Sequence, residues 1–115
     1  MLFPLFIVSR EYDKPPIHVT ENGVCDNTEP AEGAVEDTGR IELLAGFLAG
    51  LAAAIRDGAA NVRSYYLWSL LDNFEWAFGY KMRFGIVGVD RESQERTIKP
   101  SARWLSEVVK TNTLS

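Results

Sequence analysis

Two short β-rich runs flanking one long apolar helix pattern constrain this chain more than any other feature. Residues 17–20, Ile-His-Val-Thr, are dominated by β-branched side chains. Residues 62–69 add Tyr65, Tyr66, Leu67 and Trp68 to the same kind of run. Between them, residues 38–56 place Ile41, Leu44, Leu48, Leu51, Ala52 and Ile55 at the three-and-four spacing of one buried stripe. Asp37 or Thr38 stands ready to cap its amino end, and Gly58 to end it. Leu43, Phe47 and Ala54 form a second row, the wide apolar face of a helix between a sheet and something else. Gly46 and Gly50 inside the pattern read as points of close helix packing. Strand, loop, helix, strand is a βαβ unit, which implies a parallel pair joined by a right-handed crossover.

The flanks are less regular. Residues 5–12 read as the last turns of a helix, although Phe6-Ile7-Val8 also fits a strand. Lys14-Pro15-Pro16 cannot continue a helix and makes a stiff lead-in to the first strand. Residues 22–36 are polar, rich in Gly, Pro, Asn and acids, and read as a long loop of the kind that often carries function. Residues 70–84 show no clean period. Residues 84–90 and 96–98 look like a hairpin around the turn 91–95, and residues 100–110 like a closing helix. Pro100 falls in that helix's first turn, with Trp104, Leu105 and Val108 along one side.

Several function classes are excluded by composition. A net charge of -4 gives no attraction to nucleic acid or to an anionic membrane. One cysteine, Cys25, and one histidine, His18, leave neither a disulfide framework nor a metal cluster, and no Gly-rich phosphate loop follows a strand. No cofactor is expected. The apolar start, residues 1–8, reads as buried structure or as the end of a longer element. It lacks the basic segment and cleavage site of a leader, and no other run approaches membrane length. On that basis a cytoplasmic location is expected.

The first run stops at Glu21, followed by the turn signal Asn22-Gly23, and the carboxyl end of a strand is where α/β folds keep their chemistry. Taken alone, an acid there is more often a solvated loop residue. Aromatic residues crowd 65–84 (Tyr65, Tyr66, Trp68, Phe74, Trp76, Phe78, Tyr80, Phe84) beside Asp72, Asn73 and Glu75. Flat aromatic faces next to carboxylates and amides suit a sugar, whose apolar faces are edged by hydroxyls. A filled core with a few capped polar groups fits the same composition slightly better.

Four blocks in order carry a resemblance. Val19-Thr20-Glu21-Asn22-Gly23 resembles the nucleophile motif of glycoside hydrolase family 1, the β-glucosidase family. Tyr66-Leu67-Trp68-Ser69-Leu70-Leu71-Asp72-Asn73-Phe74-Glu75-Trp76 is similar to that family's glycone-binding segment. Arg83-Phe84-Gly85-Ile86-Val87-Gly88-Val89-Asp90 and Lys99-Pro100-Ser101-Ala102-Arg103-Trp104 resemble its carboxy-terminal hairpin and last helix. The agreement runs from about residue 9 to residue 109, and the first eight residues match poorly, as at a junction or a truncated frame.

The resemblance implies an α/β fold: the carboxy-terminal part of a (β/α)₈ TIM barrel, its last two βα units plus a β-hairpin, in one partial domain spanning residues 1–115. It implies that Glu21 is the nucleophile of a retaining hydrolysis of β-glucosides or β-galactosides. Trp68 would line the glycone pocket, Glu75 and Trp76 would bind sugar hydroxyls, and Phe84 would wall the site. The partner is then a β-glycoside or oligosaccharide. A whole barrel needs about 250 residues, against 115 here. The family's acid/base glutamate, in Asn-Glu-Pro, has no counterpart; Thr28-Glu29-Pro30 follows the nucleophile instead of preceding it. The chain alone is therefore expected to be inactive. The alternative is a non-catalytic sugar-binding or self-associating half-barrel, associating through open barrel edges.

Overall fold

The computed structural model describes residues 2–25 and 36–114. Their order is α1 (Leu2–Glu11), β1 (Pro16–Asn22), α2 (Thr38–Arg56), β2 (Asn61–Leu67), a 3₁₀ turn (Trp76–Phe78), β3 (Val87–Val89), β4 (Arg96–Ile98) and α3 (Pro100–Thr111). β1 and β2 pair in parallel with α2 as their crossover, so the βαβ unit is present, and β3 and β4 form the antiparallel hairpin. The first segment is helical throughout, which removes the strand alternative for Phe6-Ile7-Val8. Those three side chains are exposed, not buried as the sequence implied.

α2 keeps the expected bounds, but its buried face is narrower than the stripe. Leu44, Leu51 and Ala54 are buried, whereas Ile55 and Leu43 are each 50% exposed and Ala52 is exposed too. Two strands cover only part of a face that wide. A Cβ added at Gly46 would meet open space, so this glycine marks no close helix packing. Length and apolarity alone would let α2 cross a membrane, contrary to the expectation that no run is long enough. Its buried Arg40 and its crossover position between β1 and β2 instead mark the connecting helix of an α/β unit.

Among the described residues, the interior contains polar as well as apolar side chains. Val19, Leu44, Leu51, Ala54, Ala60 and Ile86 are the buried apolar residues, beside Ser9, Asp37, Arg40, Ser69, Asp72, Lys99 and Ser101. Asp37 sits at the amino end of α2, yet its side chain does not cap that helix. Its carboxylate accepts hydrogen bonds from the Ser101 backbone N–H at 3.0 Å and from the Ser101 hydroxyl, and pairs with Arg40 Nε at 3.1 Å. It therefore caps α3, whose first N–H groups have no partner within their own helix. Pro100 in the first turn of α3 removes one of those donors, and Asn112 ends the helix in the left-handed region at φ 55°.

The hairpin strand is shorter than expected, because the main-chain groups of Phe84 and Gly85 are engaged outside any ladder. Arg40 donates to the carbonyls of Phe84 (2.6 Å) and Arg83 (3.1 Å), and the Gly85 N–H donates to Asp72 Oδ1 at 2.9 Å. The Lys99 ammonium pairs with the same carboxylate oxygen at 3.4 Å. In the turn, Asp90 Oδ1 accepts from the backbone and hydroxyl of Ser93 and from the backbone of Glu92, which holds its carboxyl below the usual range.

Replacing Asp37 with Ala strands a guanidinium in the interior and strips the cap from α3. Chemical denaturation is expected to register a loss of about 3–5 kcal/mol. A change within about 0.5 kcal/mol, the size seen at surface positions, would contradict this account.

Candidate functional site

Glu21 is the last residue but one of β1. Pairing passes from Val19↔Tyr65 to Asn22↔Leu67, three steps on β1 against two on β2, so β1 carries one extra residue at Thr20-Glu21. A bulge re-aims the side chains it carries and raises the local twist. An opposite irregularity lies between Ile17 and His18, where β2 holds the extra residue. The sequence expectation of a strand stopping before Glu21 is thus corrected: the strand continues through Asn22, and Glu21 is exposed on the bulge.

The residues after Glu21 have physical reasons to be Asn and Gly. The Tyr65 hydroxyl donates to Asn22 Oδ1 at 2.8 Å, and the Trp68 N–H donates to the Asn22 carbonyl at 2.9 Å. An ideal Cβ on Gly23 would lie 1.7 Å from the Trp68 carbonyl oxygen, so only glycine lets the chain pass there. Trp68 lies one residue beyond β2, at a cis peptide to Ser69. Its side chain is partly exposed. Burial pushes the Tyr65 phenol up to about 12.

Phe84 is joined to Trp68 through the next residue. The Ser69 N–H donates to the Phe84 carbonyl at 3.1 Å, and Ile86 N–H donates to the Ser69 carbonyl at 3.0 Å. The Cys25 thiol lies 3.8 Å from Met82 Sδ, bringing the start of the loop after β1 against the segment that leads to Phe84. Thr28-Glu29-Pro30 lies outside the described residues.

Glu75 and Trp76 lie at the start of the 3₁₀ turn. Glu75 N–H donates to the Gly79 carbonyl at 2.6 Å, Phe78 N–H donates to the Glu75 carbonyl at 2.8 Å, and Trp76 has φ 43° and is 80% exposed. Phe74 meets Tyr80 edge to face, with centroids 5.5 Å apart, and the Arg91 guanidinium lies 4.1 Å over the Tyr80 ring. These contacts tie the segment around the 3₁₀ turn to the hairpin turn. No side-chain hydrogen bond among the described residues joins Glu75 or Trp76 to Glu21 or Trp68. Main-chain hydrogen bonds thus link the segment after Glu21 to Trp68, and the residue after Trp68 to Phe84, while Glu75 and Trp76 bond within their own turn.

A cavity of about 270 Å³ between α2, β2 and the end of α3 is lined by Leu51, Ile55, Val62, Tyr65 and Val108 among others, and by none of the five expected site residues. Among the described residues no group of three His, Cys, Asp or Glu side chains could hold a metal ion. The sequence reading missed Arg40, Asp37 and Tyr65 as supports of the site. Arg40 carried a signal: it precedes Leu44 by four residues and so shares the buried face of α2.

The family model of glycosyl hydrolase family 1 matches residues 3–114. The chain belongs to that family. The match reaches into the first eight residues, where little agreement was expected. β-Glucosidase A of Acetivibrio thermocellus is 50% identical over 109 residues, 94% of this chain and 24% of that protein. β-Glucosidase A of Thermotoga maritima is 45% identical over 108 residues, 93% of this chain and 24% of its own. The chain thus spans about a quarter of the length of these relatives. Among solved structures, the family 1 β-glucosidase of Thermotoga maritima in complex with isofagomine lactam superposes with a TM-score of 0.89 at 44% identity, covering 98% of this chain and 26% of the other. The family 1 β-glucosidase of Exiguobacterium antarcticum gives 0.88 at 42% identity, with 95% and 24% covered. The two successive strands, their crossover helix, the hairpin and the final helix are therefore part of a (β/α)₈ barrel, with no closed sheet among the described residues.

Two measurements test the strand-end geometry. Gly23→Ala is expected to destabilise the fold by about 1–3 kcal/mol through overpacking, and to alter the near-ultraviolet dichroism of the tryptophans; an unchanged denaturation midpoint would refute the close approach to Trp68. The phenol of Tyr65 binds its proton more tightly when folded, at about 12, than at its ordinary 10.0. Its contribution is complete below pH 10 and is lost as the pH rises to about 12. Tyr65→Phe should flatten that part of the stability profile, and an identical alkaline fall in the variant would show that another group causes it.

Proposed function

We propose that this chain supplies the nucleophile side of the active site of a retaining β-glucosidase. The observation that carries the reading is Glu21, exposed on a bulge at the carboxyl end of a barrel strand and bonded through its neighbour Asn22 to Trp68. Glu21 Oε attacks the anomeric carbon as the glycosidic C–O bond breaks, giving a glycosyl ester. The departing oxygen takes a proton from a general acid. Water, giving a proton to the same group, then attacks the anomeric carbon and returns Glu21 as a carboxylate.

Trp68 and Phe84 present apolar faces to the sugar ring. Glu75 accepts from two neighbouring hydroxyls, and the Trp76 indole N–H donates to another. The substrate class is β-glucosides or β-galactosides, by analogy with relatives named β-glucosidase. The two-step reaction requires a second carboxyl group about 5–5.5 Å from the first. Asp37 and Asp72 are buried in other pairings. The chain by itself is accordingly expected to be inactive.

A second reading, a non-catalytic self-associating or sugar-binding half-barrel, is favoured by the exposure of Tyr66, Leu70, Phe78 and Trp76 and by the two-stranded sheet. Sedimentation separates the two states: oligomers are expected from the chain alone, and a monodisperse, cooperatively melting monomer would count against open edges.

The catalytic reading is tested by exchanging this chain for the matching quarter of the Thermotoga maritima enzyme. The chimera should hydrolyse an aryl β-glucoside, and Glu21→Gln should lower turnover by roughly 10³-fold or more. The isolated chain should show none. Turnover by the isolated chain that Glu21→Ala abolishes would overturn its expected inactivity, and a chimera indifferent to Glu21→Gln would overturn the nucleophile role.

A further inference from the structure

We infer that Arg40, held by Asp37, is a positioning residue for the sugar-facing side chains Trp68 and Phe84, acting through the peptide that follows Phe84. The inference rests on the glycosidase reading above for what those side chains bind, but the geometry is independent of it.

That peptide is gripped from both sides. Its carbonyl, on Phe84, accepts from Arg40 Nη1 at 2.6 Å and from the Ser69 N–H at 3.1 Å. Its N–H, on Gly85, donates to Asp72 Oδ1, the oxygen paired with Lys99. Arg40 Nη2 takes the preceding carbonyl, on Arg83, at 3.1 Å. Two adjacent guanidinium nitrogens thus span two successive carbonyls and fix the main chain on both sides of the Phe84 side chain. A planar fork with fixed donor spacing does this; a single ammonium does not. A Cβ on Gly85 would lie 2.2 Å from the Asp72 nitrogen, so the segment is also packed main chain against main chain.

The same carbonyl connects to Trp68. Ser69 N–H is bonded to Phe84 O, so any drift of Phe84 moves the residue next to Trp68, whose own N–H is bonded to Asn22. Arg40 in turn cannot drift: its Nε pairs with Asp37, which is anchored by Ser101 at the start of α3. Side chains at the pair are 2% and 0% exposed, so water cannot substitute for a lost partner. Hydrogen bonds joined by the Asp37–Arg40 ion pair therefore lead from the first turn of α3 to Phe84, Ser69 and Trp68. Two helices and the segments at 68–69 and 83–85 meet there, and the contacts fix the main chain that carries Trp68 and Phe84.

The test uses the chimera carrying this whole chain. Sugar binding is read in the Glu21→Gln background by calorimetry with deoxynojirimycin, which the Thermotoga maritima enzyme holds in a solved complex. Arg40→Met and Arg40→Lys are compared with Leu51→Ala, which weakens the same helix at a buried position remote in sequence from the Phe84 contacts. Positioning predicts that Arg40→Met weakens binding about tenfold, the size of a net hydrogen bond lost at the sugar, that Arg40→Lys restores part of it, and that Leu51→Ala leaves the affinity of the folded protein unchanged. In the chimera with Glu21 intact, kcat/KM per titrated site should fall roughly 100-fold for Arg40→Met, with KM rising. Equal affinities for Arg40→Met and Leu51→Ala, each corrected for folded fraction, would overturn the inference. If Arg40→Met does not fold, the same comparison is decided by Arg40→Lys, where an unchanged affinity has the same force. Failure of the glycosidase reading shows separately, as turnover that survives Glu21→Gln.

Discussion

The ion pair between Asp37 and Arg40 is the interaction on which the rest of this structure depends. Each partner does a second job: Asp37 caps α3, and Arg40 holds the carbonyls of Arg83 and Phe84. A buried pair of this kind adds little stability compared with apolar residues of the same shape, while losing one partner costs about 3–5 kcal/mol. Its contribution is therefore specificity of arrangement. The interior has few large apolar side chains, and an arrangement fixed by packing alone would leave the hairpin, α3 and the turn at Ser69 free to slide against α2. The second buried pair, Asp72 with Lys99, closes the same region from the opposite side of the Phe84–Gly85 peptide.

The candidate site sits where that framework meets the strand ends. Parallel pairing places the carboxyl ends of β1 and β2 side by side, and the bulge at Thr20-Glu21 turns an ordinary strand residue into an exposed acid. Asn22 and Gly23 then serve the backbone: one accepts from Tyr65, and the other lets the chain pass the Trp68 carbonyl. A motif that reads as a run of site residues thus divides into one chemical group and two structural ones.

Much of the fold was legible in sequence because α2 has strong periodicity, which places it at Thr38–Arg56 even though Asp37 does not cap it. The parallel pair followed from the order of elements. The burial of α2 was not legible: Ile55 and Leu43 belong to the apolar pattern, but two strands have too little surface to cover them. The role of Asp37 was hidden because a helix-start acid normally caps its own helix, and its true partner, Ser101, is far along the chain. The bulge was hidden as well, since pairing register depends on the partner strand and leaves no mark on Val-Thr-Glu-Asn. Trp68, Glu75, Trp76 and Phe84 came from resemblance; the spacing of aromatic residues alone favoured a core.

The most direct test of the account is to trap the glycosyl ester. An aryl 2-deoxy-2-fluoro-β-glucoside, whose fluorine slows both steps while a good leaving group speeds only the first, is incubated with the chimera, and the labelled peptide is mapped by mass spectrometry. The account predicts a single covalent glycosyl group on Glu21, absent from the Glu21→Gln protein. A label on any other carboxylate, with Glu21 unmodified, would contradict it.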